Sequence, residues 1–172
     1  MITLLAGCPT MSDAVERVVF DCNIFAQTLI TPSGNAGQCV ERVLEGVIIL
    51  FWSEYVLDEI RGIPNKQTPL RLGVTSDQVE SLIARLSPIA HLVEHPPSVY
   101  THPIDPKDSH YVDLAVASEA KLIVSRDKHL LNLMNPSKPG AQQFKAMFPS
   151  LAVWQPEQLL EMLRRTGRDE MR

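Results

Sequence analysis

The feature that most constrains the fold is an alternation of continuous apolar runs with helix-patterned segments along the 172 residues. The apolar runs have the length of strands and are rich in β-branched and aromatic residues. Strands that are apolar on both sides must be covered on both faces, which is the situation of a parallel sheet enclosed by helices. The predicted strands cover residues 17–22, 47–52, 89–95, 121–125 and 151–154.

Helical spacing of apolar residues characterises the segments between these strands. Ser53 is a favourable N-cap and Gly62 a favourable stop for one of these helices, and Pro156 suits the first turn of the last one. Residues 63–73 are predicted to be a loop or a broken helix. The predicted helices cover residues 36–46, 53–62, 76–87, 108–120, 127–134 and 156–165.

The composition is that of an ordinary globular protein, with 45% hydrophobic and 21% charged residues. The net charge of −4 argues against a protein that simply coats nucleic acid, whereas a cluster of metal-binding carboxylates would itself lower the charge. Three cysteines without a CxxC pair favour a reducing compartment and argue against a thiolate zinc site. No apolar run is long enough to span a bilayer. We therefore expect a cytoplasmic protein without a membrane partner.

The length favours a single domain, which we assign to residues 17–165. Residues 1–16 are slightly apolar but lack the basic start of a signal peptide. We expect them to form a poorly ordered N-terminal extension, with Met11 as an alternative start. Residues 166–172 are expected to form a C-terminal tail.

Two aspartates lie at the end of a predicted strand or just past it. Asp21 ends the run VVFD, and Asp127 comes just after the run KLIVS. In parallel sheets, ligands bind beyond the carboxyl ends of the strands, at the point where the strand order reverses. We therefore expect both carboxylates at one rim of the sheet. Capping of the following helix is an alternative role for Asp127, whereas near Asp21 the better capping candidate is Asn23.

The helix after the second strand contains three acids, of which one faces inward. Val56 and Ile60 mark its apolar stripe, and Glu59 lies about 60° from Val56, on the flank of that stripe. Glu54 and Asp58 lie on the opposite, solvent side. A surface glutamate that extends into solvent is the alternative interpretation of Glu59.

The segment IDPKDSHYVDLAVA supplies a further inward acid. Asp108 lies about 40° from Val112 on the apolar side of a helix, near the helix N-terminus, where backbone N–H groups favour anions. Asp105 is followed by Pro106, so we expect it mainly to cap this helix. Asp113 lies at the edge of the apolar stripe and is kept as an accessory residue.

Four carboxylates are thus expected to face one rim. They would repel one another strongly in a partly buried cleft unless they held cations. Oxygen ligands alone select hard ions such as Mg²⁺ or Mn²⁺, which grip phosphate oxygens and activate water. Phosphodiester hydrolysis is therefore the predicted reaction. The four acids are Asp21, Glu59, Asp108 and Asp127.

Several stretches also resemble a known family: DCNIF, VLDEI, DPKDSHYVDLAVA and KLIVSRDKHLL. They are similar to the PIN-domain nucleases, and most closely to the branch of virulence-associated protein C-like toxins of type II toxin–antitoxin pairs. The resemblance runs from Arg17 to about Leu163, and the spacing of the two late stretches is its most specific part.

The resemblance implies an α/β fold, a three-layer α/β/α sandwich with a central five-stranded parallel sheet. It implies a Mg²⁺- or Mn²⁺-dependent endoribonuclease in which the same four acids are the catalytic and metal-binding residues. Asn23 and Ser125 match the polar residues beside the first and last acids, and the family often has threonine at the positions of Cys22 and Ser125. An RNA substrate, a homodimer and a small antitoxin partner are also implied.

Basic residues near the acids in sequence are candidates for contacts with RNA phosphates. For each of them, ordinary surface charge is an equally good interpretation. Single-stranded RNA is the expected substrate, because an unstacked strand can enter a narrow cleft. The candidates are Arg61, Lys66, Arg71, Arg126 and Lys128.

Two other functions fit parts of the pattern. The first is a non-catalytic PIN-like scaffold that binds RNA or protein, against which the presence of all four acids argues. The second is a haloacid-dehalogenase-like phosphatase, which needs a second carboxylate two residues after the first, where this chain has Asn23. His110 and His129 lie near the acids in sequence, and we expect surface or capping roles for them.

Overall fold

The computed structural model describes residues 15–167. Its centre is a five-stranded sheet in which every pair of neighbours is parallel and the strand order is β3-β2-β1-β4-β5. The strands are β1 (Glu16–Phe20), β2 (Ile48–Trp52), β3 (His91–Leu92), β4 (Leu122–Val124) and β5 (Ala152–Trp154). Helices flank this sheet, so the predicted α/β sandwich with five parallel strands is confirmed.

Nine α-helices occur within residues 15–167, together with three short 3₁₀ turns. The helices are α1 (Cys22–Ile30), α2 (Asn35–Leu44), α3 (Glu54–Arg61), α4 (Gln67–Arg71), α5 (Ser76–Leu86), α6 (Ser109–Ala117), α7 (Lys128–Leu131), α8 (Ala141–Met147) and α9 (Pro156–Arg165). The 3₁₀ turns are Ile63–Asn65, Pro106–Asp108 and Asn132–Met134.

Helix ends agree with the sequence where a capping residue is present. Ser53 Oγ accepts the N–H of Val56 at 3.3 Å and starts α3, and Gly62 ends it. Helix α5 begins with a capping box in which Thr75 and Gln78 satisfy each other's backbone N–H groups. These local hydrogen bonds explain why the two helices begin where they do.

Some elements differ from the prediction. Helix α1 was not predicted, because its sequence CNIFAQTLI is mostly apolar and its buried residues include polar Thr28, so that the contrast between a polar and an apolar face is weak. Helix α8 lies next to a predicted loop and was also not predicted. The helix expected over residues 108–120 begins as a 3₁₀ turn and ends at Ala117, and the helix expected over residues 127–134 divides into α7 and a 3₁₀ turn.

The central strand β1 is buried over its last three residues, Val18 to Phe20. Val18 and Val19 have no solvent exposure, and Val18 pairs with Leu50 of β2 on one side and with Leu122 of β4 on the other. The continuous apolar sequence of β1 is therefore explained by neighbours on every side.

The strand order reverses at β1, because the chain builds β2 and β3 on one side of it and then β4 and β5 on the other. Pairing continues just past the strand ends: the N–H of Asp21 donates to the carbonyl of Val124 at 2.9 Å, and that of Ser125 to Trp154 at 2.9 Å. Residues 21–23 and 125–127 thus lie side by side at the rim of the sheet, where such folds bind ligands.

The predicted extension and tail fall mainly outside the described residues, which exclude residues 1–14 and 168–172. The boundaries of the domain at residues 17–165 therefore stay a prediction. None of the helices within residues 15–167 is long and apolar enough to cross a membrane.

Candidate metal centre

Asp21 is a buried carboxylate held by three donors. Its Oδ2 atom accepts hydrogen bonds from Ser125 Oγ at 2.6 Å and from Asn23 Nδ2 at 3.0 Å, while Oδ1 accepts the N–H of Asn23 at 3.4 Å. The last contact makes Asp21 the N-cap of α1. The expectation that Asn23 is the better capping residue was wrong, because α1 begins one residue after Asp21 and places Asn23 inside the helix. Burial raises the pKa of Asp21, and the charge of Asp127 raises it further.

Ser125 connects the first acid to the last one. Its side chain is fully buried, and its Oγ atom accepts the N–H of Asp127 at 2.9 Å while donating to Asp21. Asp127 caps α7 by accepting the N–H of His129 at 2.7 Å through Oδ1. The alternative capping role is therefore confirmed, and it coexists with a position at the rim beside Asp21.

Asp108 lies at the end of the 3₁₀ turn that precedes α6. Its Oδ2 atom is buried and has no hydrogen-bond partner among residues 15–167. Burial raises the pKa of Asp108 to about 7, the charges of Asp127, Asp105 and Asp21 raise it in the same direction, and His129 opposes them. A buried, unpartnered carboxylate oxygen among other carboxylates is the arrangement that a bound cation would satisfy.

Glu59 faces inward on α3, as its position beside the apolar stripe predicts. Its side chain is 36% exposed, whereas Glu54 and Asp58 are turned to the solvent. Val56 and Ile60 of the stripe are fully buried.

Two aromatic side chains of α6 hold Glu59. The Tyr111 hydroxyl group donates a short hydrogen bond to Glu59 Oε2 and accepts the N–H of Cys22 at 3.0 Å. His110 Nε2 lies 3.3 Å from Glu59 Oε1. Although burial acts in the opposite direction, the adjacent His110 imidazole and the hydrogen bond from Tyr111 lower the pKa of Glu59. Glu59 is therefore kept ionised.

The tightest group of possible metal ligands differs from the predicted four acids. Within the described part of the chain, Asp105, Asp108 and His129 have ligand atoms that all lie within 4.8 Å of one another. Within residues 15–167 the predicted four do not form such a group, and Glu59 instead contacts Tyr111 and His110. The donors that are present, mainly carboxylate oxygens with one imidazole, fit a divalent cation of the Mg²⁺ or Mn²⁺ kind.

Asp105 and His129 thus have wider roles than the sequence indicates. Asp105 caps the 3₁₀ turn, as predicted, by accepting the N–H of Lys107 at 3.2 Å. His129 Nδ1 lies 3.6 Å from Asp105 Oδ2 and 3.8 Å from Asp127 Oδ1. The half-buried His129 imidazole therefore faces the acids, contrary to the expected surface or capping role.

A family model described as PIN domain matches residues 17–129. The chain belongs to the PIN-domain family. The matched segment contains all four predicted acids and the rim between β1 and β4. PIN domains have a nuclease-type fold and are typically metal-dependent nucleases, and the acidic cluster of this chain is consistent with divalent metal binding. A comparison with curated proteins finds no match.

Asp113 has a different position in this PIN domain from the rim acids. It is buried, and its Oδ1 atom accepts the N–H groups of Val99 at 2.8 Å and of Tyr100 at 3.0 Å. These contacts fasten residues 96–106, the proline-rich loop, onto α6. The accessory role of Asp113 is therefore to hold this loop.

Among the basic candidates, Lys66 approaches the acids most closely. Its Nζ atom lies 3.5 Å from Cys22 Sγ, and its charge contributes to the lowered pKa of Glu59. Arg71 and Lys128 are exposed. Lys66 is thus a basic side chain at the rim of the PIN domain.

The two other candidates are engaged in ion pairs. Arg61 pairs with Glu80 at 3.3 Å, on the exposed side of α3. Arg126 pairs with Glu157 and donates from Nε to Gln27 at 2.6 Å. Both guanidinium groups therefore already have partners within the PIN domain.

Two residues that support the acids were missed in the sequence. Tyr111 follows Asp108 by three positions, and this spacing on one helix face was a usable signal. His102 is buried in the proline-rich loop, where its Nδ1 accepts the N–H of Asp105 at 3.0 Å and its Nε2 donates to the carbonyl of His129 at 3.0 Å. No local pattern marks His102, because its partners come from two separate segments.

Proposed function

We propose that this PIN domain is a Mg²⁺- or Mn²⁺-dependent endoribonuclease. Its catalytic and metal-binding acids are Asp21, Glu59, Asp108 and Asp127. The observation that carries the proposal is the Oδ2 atom of Asp108, which is buried and without a hydrogen-bond partner among residues 15–167. An oxygen in this position is suited to a hard cation.

The electrostatics of the rim support a cation site. Asp21, Asp105 and Asp127 all raise the pKa of Asp108, so the ionised Asp108 carboxylate is repelled by these three acids. A divalent ion offsets such repulsion, and when bound it supplies positive charge to a phosphodiester and favours ionisation of water.

The supporting residues give the acids fixed orientations before substrate binds. Ser125 and Asn23 hold Asp21 Oδ2, and Tyr111 holds Glu59. Hydrogen bonds of this kind to metal-binding carboxylates orient them and tune their affinity. The Lys66 ammonium group, beside Cys22, is placed to contact a phosphate oxygen.

The finer assignments rest on the resemblance of the segments DPKDSHYVDLAVA and KLIVSRDKHLL to toxins of the family. We infer that the substrate is single-stranded RNA, that the domain at residues 17–165 acts in the cytoplasm as a homodimer, and that a small antitoxin neutralises it. An open reading frame for a small protein next to the gene, and co-purification of its product, would support the toxin role.

Cleavage of a fluorescently labelled single-stranded RNA tests the proposal. We expect cleavage with Mn²⁺, none in EDTA, and a loss for Asp21→Asn that exceeds the roughly 10–100-fold typical of an outer-shell partner. Asp58→Asn is the matched control, because Asp58 is an exposed acid on α3. Equal cleavage by Asp21→Asn and the unaltered protein would contradict the proposal.

A further inference from the structure

A cavity of about 580 Å³ opens beside Glu59, between the start of α3, the proline-rich loop and the start of α6. Its volume lies in the roughly 300–1,000 Å³ range of small-ligand sites. Side chains that line it include Tyr55, Glu59, Lys107 and His110. The cavity is thus continuous with one of the predicted acids, and the rim acids do not account for it.

Tyr55 is an exposed aromatic residue in the lining of this cavity, with 70% of its surface accessible. Its ring stacks on His110, with the ring centroids 5.3 Å apart and the planes 29° apart. His110 in turn packs against the buried ring of Tyr111, with centroids 4.0 Å apart. One face of the Tyr55 ring is therefore covered by the stacked rings of His110 and Tyr111, while most of the remaining side chain is open to the cavity.

The fold does not need Tyr55. The residues that fasten α3 to the core are Val56, Leu57 and Ile60, all of which are buried. A single exposed aromatic residue needs no explanation by itself, but this one lies on a supporting ring at the wall of a cavity. The stack also contacts one of the predicted acids, because His110 Nε2 is 3.3 Å from Glu59 Oε1.

The charges of the cavity favour a neutral planar ligand over an anion. The acids Glu54, Glu59 and Asp113 line it, and the other ionisable side chains of the described lining are Lys107, His95, His110 and Tyr55. A free phosphate would meet three acids there. A nucleobase is uncharged and stacks on tyrosine regardless of its identity.

We propose that the Tyr55–His110 stack is a binding platform for one unstacked nucleobase of the substrate strand. The base lies on the open face of Tyr55, the adjoining phosphate extends toward the divalent ion that the rim acids would hold, and Lys107 contacts the backbone on the other wall. This subsite rests on the proposed nuclease function and deepens it, because it selects single strands, whose bases are free to stack on protein.

Binding of two matched probes tests the platform without any cleavage. Fluorescence anisotropy in EDTA compares a labelled single-stranded RNA hexamer with a hexamer of the same backbone that lacks all bases. We expect the unaltered protein to bind the complete hexamer about 5–150-fold more tightly, the range expected for stacking of one base. Tyr55→Ala should lose this preference, and Tyr55→Phe should keep it.

His91→Ala is the matched control, since the exposed His91 ring stacks on Phe51 at the sheet edge, outside the cavity. It should leave the preference unchanged. The platform is overturned if the bases add nothing to binding, or if Tyr55→Ala weakens both hexamers by the same factor.

Cleavage with Mn²⁺ separates this inference from the proposed function. Cleavage of the RNA hexamer without a Tyr55-dependent preference overturns the platform and leaves the nuclease proposal standing. A Tyr55-dependent preference without cleavage supports the platform as a binding site and overturns the nuclease proposal. Absence of both overturns both.

Discussion

The hydroxyl group of Ser125 lies 2.6 Å from Asp21 Oδ2 and donates a hydrogen bond to it. The two residues follow neighbouring strands, β4 and β1, and Ser125 also accepts the N–H of Asp127. One buried hydroxyl group thus sets the orientation of the first acid and the backbone position of the last. The rim is organised by side chains that are not themselves acids.

Ser125→Ala should therefore weaken metal binding and RNA cleavage by roughly 10–100-fold, as loss of such a supporting partner typically does. Ser118→Ala is a matched control, because Ser118 is also buried but donates to the carbonyl of Ala115, outside the acidic rim. Mn²⁺ titration and cleavage rates give the measurement. An unchanged affinity in Ser125→Ala would show that the Asp21 contact has no functional role.

Tyr111→Phe should lower the free energy of unfolding by about 1–3 kcal/mol, because the N–H of Cys22 loses its acceptor. It should also raise the pKa of Glu59, which loses a hydrogen-bond donor. Tyr100→Phe is the control: the Tyr100 hydroxyl group is buried without a hydrogen-bond partner among residues 15–167, so its removal should leave stability unchanged or raised. Urea denaturation gives the free energy of unfolding of both variants. Equal changes in this free energy for the two substitutions would contradict this role of Tyr111.

The pKa of about 7 at Asp108 predicts a dependence of stability on pH in the absence of metal. From about pH 4 to 7, the folded protein holds a proton on this carboxyl group that the unfolded chain has lost, so stability falls as pH rises through this range. Asp108→Asn removes this charge. Its melting temperature in EDTA should exceed that of the unaltered protein by a margin that grows from pH 5 to pH 8.

Asp58→Asn, which changes an exposed acid and leaves Asp108 in place, should show the same pH dependence as the unaltered protein. Added Mn²⁺ should raise the melting temperature of the unaltered protein at pH 8 and not that of Asp108→Asn. If Asp108→Asn is less stable than the unaltered protein at pH 8 in EDTA, the inference that the ionised Asp108 carboxylate destabilises the metal-free fold is wrong.

Asp113→Ala should destabilise the fold without weakening the metal site. The N–H groups of Val99 and Tyr100 lose a charged acceptor, at a cost of roughly 1.5–3 kcal/mol. Chemical denaturation gives the stability, and Mn²⁺ affinity is measured below the unfolding transition. A loss of Mn²⁺ affinity at full stability would instead make Asp113 part of the metal site.

The parallel sheet and the rim positions of Asp21 and Asp127 could be predicted because they depend on local patterns. A continuous apolar run identifies a strand, and the residue after it must lie at the carboxyl end. The inward position of Glu59 follows from helical spacing in the same way. None of these positions depends on the path of a loop.

The surroundings of Asp108 could not be predicted in this way. His102, Asp105 and His129 meet only because the proline-rich loop passes beside the start of α7, and no short stretch of sequence encodes that contact. Helix α1 was missed for another reason: burial on several sides weakens the contrast between faces by which a helix is recognised.

Calorimetric titration with Mn²⁺ at pH 8 tests the central claim most directly. We predict saturable binding by the unaltered protein and by Asp58→Asn, and its loss in Asp21→Asn and in Asp108→Asn, with circular dichroism showing that both variants are folded. Absence of binding by the unaltered protein, with all four acids intact, would contradict the claim and favour a non-catalytic PIN scaffold.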